Sequence, residues 1–142
     1  MHPRTIVRVL SFGRVIFGLS MLLAPKRTVR TWIGDDVENV RTRMLIRSFG
    51  ARDLALGLGP LMAMRREAPV RGWVEAAAIG DLTDFAGTLL NIRRVPKLGA
   101  FLVLTSAAAA AAVGLWAAPR LAQEEPADEP WQEPSAVSPI PD

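Results

Sequence analysis

Four long apolar stretches alternate with short polar and basic segments along this chain. They cover about residues 5–24, 44–64, 72–90 and 99–118. Each is close to the roughly 20 residues that an α-helix needs to cross a bilayer. The fourth stretch has no charged residue, whereas the other three carry charges inside their apolar sequence. The pattern predicts an all-α fold, an integral membrane four-helix bundle whose four-span domain covers residues 1–118.

A soluble four-helix bundle is the main alternative for such a pattern. A soluble bundle requires a polar face on every helix. The fourth stretch offers none, since it includes the six consecutive alanines of residues 107–112. A signal peptide is an alternative for the first stretch alone, but Arg8 and Arg14 interrupt its apolar core and no clean cleavage site follows it. Both alternatives are therefore less favoured than the membrane bundle.

The segments outside the apolar stretches differ in character. Residues 25–43 are partly amphipathic, which predicts a short interfacial helix before the turn at residues 34–36. Residues 119–142 contain six prolines and six acidic residues in 24 positions. Such a segment cannot bury enough apolar surface to fold alone, so a disordered acidic, Pro-rich C-terminal tail is predicted over residues 119–142.

Charge and composition exclude several function classes. Residues 1–118 carry 16 Lys or Arg against 8 Asp or Glu, a net charge of +8, and the tail carries a net −5. In a membrane protein such a basic excess mostly faces lipid head groups, so the bilayer rather than nucleic acid is the predicted partner. There is no cysteine, and the single histidine is His2. These counts exclude thiolate chemistry, a His-based metal site and a Ser-His-Asp triad.

Ionisable residues inside the apolar stretches are the main candidates for function. A charge at such depth costs several kcal/mol unless it faces the bundle interior and finds a partner. The stretches contain four such residues of each sign, which are Arg8, Arg14, Arg47, Arg52, Asp53, Glu75, Asp81 and Asp84. Equal numbers of the two signs indicate mutual neutralisation.

The depths of these charges can be compared, because consecutive spans are antiparallel and a helix rises about 1.5 Å per residue. Three opposite-charge pairs match in depth: Arg8 with Glu75, Arg14 with Asp81, and Arg52 with Asp84. The third stretch also places its central acids, Thr88 and Asn91 on one face. We therefore predict one buried network of Arg14, Arg52, Asp53, Asp81 and Asp84, with supporting roles for Arg8, Glu75, Arg47, Thr88 and Asn91.

Three interpretations of this network stay open at the level of sequence. It can be a structural salt-bridge network that fixes helix register, or a centre that carries protons or binds a ligand, since its acids outnumber its arginines by three to two. A carboxylate site for a hard cation is a third interpretation, which the two arginines disfavour. We predict no metal and no cofactor.

The run of residues 47–58, RSFGARDLALGL, followed by Gly72-Trp73-Val74-Glu75 and Asp81-Leu82-Thr83-Asp84, resembles a family of small bacterial four-span membrane proteins. That family is a domain of unknown function near the DoxX-like group. The resemblance covers roughly residues 5–118. It implies a four-helix membrane fold with both termini on one side, and it implies no particular activity. DoxX-like proteins are linked to redox and respiratory complexes, but this chain lacks the cysteine or internal histidine that would ligate a cofactor.

Two function classes follow from the sequence. The first is a non-enzymatic accessory or structural subunit of a larger membrane assembly. Besides the lipid bilayer, the predicted partners are a membrane protein or a second copy of this chain. The second is a proton-coupled carrier or small-molecule-binding membrane protein that uses the central carboxylates. No nucleophile arrangement, cofactor motif or phosphate-binding loop is present, which favours the first class and a protein that is not an enzyme. The predicted location is the bacterial cytoplasmic membrane, as a multi-pass protein.

Overall fold

The structure is a computed structural model that describes residues 2–124. Its helices are α1 (Pro3–Leu23), α2 (Pro25–Ile33), a 3₁₀ helix (Gly34–Glu38), α3 (Val40–Arg65), α4 (Arg71–Leu90) and α5 (Lys97–Glu124). Each predicted apolar stretch coincides with one of the four long helices, and the predicted short helix before the turn is α2. The all-α prediction is thus confirmed for the part of the chain that the structure describes.

α1 and α3 form a close antiparallel pair because small residues face each other at two levels. A Cβ atom on Gly18 would lie 2.6 Å from the carbonyl oxygen of Gly50, and one on Gly57 would lie 2.7 Å from that of Ser11. Ser11 and Gly18 are seven residues apart, as are Gly50 and Gly57. A seven-residue repeat keeps one seam facing its partner over several turns. The two backbones therefore meet with no side chain between them at these levels.

α4 and α5 form the second antiparallel pair, again through small residues. A Cβ atom on Gly114 would lie 3.1 Å from the Cβ of Ala78, and Ala107, Ala111 and Ala118 are buried on the same helix. α2 closes one end of the bundle, where Gly99 of α5 packs directly on its backbone at Thr31. The bundle is therefore two tight helix pairs, α1–α3 and α4–α5, placed side by side.

Many large apolar side chains of the bundle are exposed. Large apolar residues point outward on all four long helices: Ile16 is 69% exposed, Leu45 62%, Ile79 65% and Phe101 64%. Most buried hydrophobic residues are alanine or valine, and the buried polar residues are Ser11, Asp53, Asp81 and Thr88. Exposed apolar surface on this scale is unusual for a soluble monomer.

Length and composition alone make α1 and α5 capable of crossing a membrane. α3 and α4 do not reach that level of hydropathy, and both carry charged residues near their centres. All four predicted spans are helices, but only two of them are apolar enough to cross a membrane, so the four crossings stay a prediction.

The predicted start of the tail is wrong by six residues. α5 continues through Pro119 to Glu124, whereas the sequence predicts disorder from residue 119. Leu121 is fully buried against Val7 and Val70, and burying a leucine side chain contributes about 1.5–3 kcal/mol. That burial favours continuation of the helix beyond a residue that usually interrupts one. The rest of the predicted tail, residues 125–142, lies outside the described residues.

Candidate functional site

The charged residues at mid-length of α1, α3 and α4 form one continuous network. Arg14 of α1 pairs with Asp81 of α4, and its other terminal nitrogen lies 3.8 Å from Oδ1 of Asp53 on α3. Arg52 of α3 donates to the same Oδ1 of Asp53 at 3.0 Å. It also donates to both oxygens of Asp84, at 3.1 and 2.6 Å. Charges of opposite sign therefore alternate along a single line, in the order Asp81, Arg14, Asp53, Arg52, Asp84.

This network joins the two helix pairs. Arg14 and Arg52 belong to the α1–α3 pair, and Asp81 and Asp84 belong to α4. Asp81 and Asp84 are three residues apart, about one turn, so a single face of α4 presents both carboxylates. A bidentate arginine–carboxylate pair fixes orientation as well as distance. The network thus sets how α4 lies against the α1–α3 pair.

All five residues of the network are largely shielded from solvent. Asp53 and Asp81 are each 6% exposed, and the side chain of Arg14 is 15% exposed. Arg52 is less buried, and its guanidinium carbon lies 5.3 Å from the centre of the Phe49 ring, within cation–π range. Two guanidinium groups and three carboxylates give the network a formal charge of −1 when all five residues are ionised.

The five supporting residues lie outside the network. Glu75 accepts a hydrogen bond from Arg71, one turn earlier on α4, at 2.7 Å. Arg8 is exposed and forms no ion pair within residues 2–124, so the predicted Arg8–Glu75 pair is not present. The predicted pair fails because equal depth along two helices does not determine how each helix is rotated about its axis.

The remaining supporting residues have local roles. Arg47 donates to the carbonyl oxygen of Leu22 at the end of α1, at 3.3 Å. Asn91 donates to the Gly87 carbonyl oxygen at the end of α4, at 2.9 Å. Thr88 is buried, and its hydroxyl oxygen is the only fully buried side-chain polar atom among the described residues without a hydrogen-bond partner.

Two cavities reach the network. The larger is a lateral cleft of about 580 Å³ between α1 and α5. Arg14, Asp53, Asp81 and Asp84 line its floor, and apolar residues such as Phe17 and Val103 line its walls. The smaller is a partly open pocket of about 30 Å³ beside Ser11, Arg14 and Asp81, which is room for about one water molecule.

The sequence did not predict the lateral cleft. It results from the way the four helices pair: α1 packs on α3 and α5 packs on α4, so the seam between α1 and α5 is only partly filled. Gly13 of α1 lines this seam, and a Cβ atom placed on it would meet nothing within 4 Å. Gly13 and the alanines of α5 along this seam are the only features of the sequence that indicate an unfilled space between α1 and α5.

The network is poorly suited to a metal ion. A hard metal ion such as Mg²⁺ needs about six oxygen ligands around it, whereas each carboxylate here already has at least one oxygen engaged by a guanidinium group. Over the described range, no group of three or more His, Cys, Asp or Glu side chains is arranged to hold a metal. The geometry instead offers charge-assisted hydrogen bonds at the floor of an apolar cleft.

Comparisons with protein-family models, curated proteins and solved structures find no match for this chain. Its similarity to the small bacterial four-span membrane proteins therefore stays a prediction, and the fold and the geometry of the network carry the argument about function.

Proposed function

We propose that this chain is a four-span protein of the bacterial cytoplasmic membrane that acts as a non-enzymatic accessory or structural subunit of a larger membrane assembly. The observation that carries the proposal is the exposure of large apolar side chains on all four long helices. Ile16, Leu45, Ile79 and Phe101 are each more than 60% exposed, while the ion-pair network lies between the helices. Such an exterior matches the hydrocarbon core of a bilayer, where polar groups must be satisfied internally.

The low hydropathy of α3 and α4 is compatible with this proposal. Hydropathy scales treat each charge as though it stood alone, whereas Arg52, Asp53, Asp81 and Asp84 all have partners within the bundle. Charged residues in membrane helices usually face the interior and pair in this way. The outer faces of α3 and α4 also carry exposed large apolar residues, among them Leu45 and Phe49 on α3 and Ile79 and Leu82 on α4.

The proposal of a non-enzymatic role rests on the chemistry of the network. Arginine and aspartate alternate and form strong hydrogen bonds to one another, and within residues 2–124 no serine, lysine or histidine side chain is hydrogen-bonded to them. Nucleophilic catalysis needs a nucleophile beside a base, and each aspartate that could act as a general base is instead paired with a guanidinium group. The arrangement fits the task of holding two helix pairs in a fixed orientation.

Two measurements test the proposal. After an alkaline carbonate wash, the chain should remain in the membrane pellet, and its recovery in the soluble fraction would overturn the membrane assignment. A tagged full-length chain, purified in mild detergent and analysed by mass spectrometry, should bring down a membrane protein in stoichiometric amount. Recovery of a lone monomer or homodimer would contradict the accessory role.

A carrier or small-molecule-binding protein is the second candidate, and the lateral cleft is the observation that favours it. The two candidates differ in the effect of Asp84→Asn, which weakens the hydrogen bonds from Arg52. A structural network predicts lower abundance of the variant in the membrane. A carrier predicts normal abundance with loss of transport or ligand binding.

A further inference from the structure

We propose that the lateral cleft between α1 and α5 binds an amphiphile with a protonated primary amine as its head group. This inference rests on the proposed membrane location, because only a bilayer would deliver an amphiphile to an opening on the side of the bundle. It adds a binding site and a ligand class to that function. The shape of the cleft, the charge of its floor and the carboxylate oxygens without a hydrogen bond point to this ligand class.

The shape of the cleft suits a ligand with an apolar body. Its volume of about 580 Å³ lies within the range of about 300–1,000 Å³ that is common for small-molecule sites. Val9, Phe17 and Val103 give it apolar walls, and Trp32 of α2 lines one end. An alkyl chain that enters between the two helices would contact these walls.

The charge at the floor selects the head group. The network carries two guanidinium groups and three carboxylates, a formal charge of −1, and four of its five residues line the cleft. Uncompensated charge is costly in a site of low dielectric. A head group with a single positive charge would make the floor neutral, whereas a carboxylate or phosphate would raise its charge to −2 or beyond.

Free acceptor oxygens favour an amine that carries N–H groups. Arg14 binds Oδ2 of Asp81, and Arg52 binds Oδ1 of Asp53. The second oxygen of each carboxylate accepts no hydrogen bond within residues 2–124, although neither oxygen is fully enclosed. A primary ammonium group has three N–H donors, which is enough to donate to both of these oxygens.

The unmodified protein provides the first test. The full-length chain is placed in nanodiscs of phosphatidylcholine, a lipid without N–H donors. Binding of radiolabelled dodecylammonium and of dodecanol is measured at pH 7 against empty nanodiscs. We expect saturable binding of one dodecylammonium per chain, and about ten-fold or more weaker binding of dodecanol, because charge-assisted hydrogen bonds are lost. Equal affinity for the two probes, or no saturable binding above the empty discs, would overturn the inference.

A pair of matched glycine variants provides the second test. Gly13→Leu places a side chain in the cleft, while Gly87→Leu makes the same change on α4, where a Cβ atom also meets nothing within 4 Å. We expect Gly13→Leu to weaken dodecylammonium binding about ten-fold or more and Gly87→Leu to leave it within about two-fold. Undiminished binding by Gly13→Leu would place the amine elsewhere and refute the site.

These outcomes are separate from those of the proposed function. A chain that stays in carbonate-washed membranes and binds no amine refutes this inference and leaves the membrane assignment intact. A chain recovered in the soluble fraction refutes the membrane assignment whatever its affinity for amines.

Discussion

Replacing Arg14 with leucine removes the cation that faces Asp81. The side chains of these residues are 15% and 9% exposed, so water cannot readily replace the lost guanidinium. Asp53 keeps its hydrogen bond from Arg52 at 3.0 Å. Asp81 loses its guanidinium partner and is left near the carboxylate of Asp53. Breaking a buried pair by removing one partner costs about 3–5 kcal/mol, and we expect Arg14→Leu to lower the free energy of unfolding by that amount.

The double variant Arg14→Leu with Asp81→Leu should regain much of this loss, because it strands neither charge. Unfolding in detergent micelles with increasing dodecyl sulfate, followed by circular dichroism, gives the free energies of a double-mutant cycle. We expect the double variant to lose about 2–3 kcal/mol less than the sum of the single variants. The exposed pair Arg71 and Glu75 on α4 is the control, with a coupling of about 0.3–0.5 kcal/mol. Additive effects at Arg14 and Asp81, within about 0.5 kcal/mol, would refute direct pairing.

Two further predictions concern other parts of the bundle. Gly18→Ala should destabilise it by about 1–3 kcal/mol in the same unfolding assay, because the new Cβ would lie 2.6 Å from the Gly50 carbonyl oxygen. Gly87→Ala, where space is open, should cause no loss; equal effects would contradict the close approach of α1 and α3. A hydrogen bond from Lys26 holds the pKa of Glu38 below its ordinary value. The stabilisation from this pair is therefore complete above the ordinary pKa and is lost as the pH falls through the lowered value. Lys26→Met should raise the midpoint of the Glu38 carboxyl titration measured by NMR, and an unchanged midpoint would contradict this cause.

The sequence was informative about the helices and about depth within them. The four apolar stretches predict the positions of α1, α3, α4 and α5, because a continuous run of apolar residues sets the length of a helix in a chain of this kind. The pairing of Arg14 with Asp81 and of Arg52 with Asp84 follows from a fixed rise per residue along antiparallel helices. Those two pairs are present in the structure.

A fixed rise per residue does not predict how each helix is rotated about its axis, or which helices pack against each other. Glu75 pairs with Arg71 of its own helix and not with Arg8, because depth along a helix does not determine which way a side chain faces. The packing of α1 on α3 depends on backbone contacts at Gly18 and Gly57, which hydropathy does not reveal. The lateral cleft is a consequence of that pairing and was therefore also missed. The end of α5 was misplaced because the burial of Leu121 depends on tertiary packing.

Accessibility of α3 and α4 to water tests the central claim most directly, because these two helices carry the network and have the lower hydropathy. The chain has no cysteine, so a single introduced cysteine is the only thiol available for labelling. Ala51→Cys and Ile79→Cys lie on outward-facing positions of α3 and α4, and Asp35→Cys, at a position whose side chain is 93% exposed, is the control. In membranes opened to both sides, a membrane-impermeant maleimide should label only the control until dodecyl sulfate is added. Labelling of positions 51 and 79 as rapidly as position 35 would contradict a four-span bundle with its charges inside.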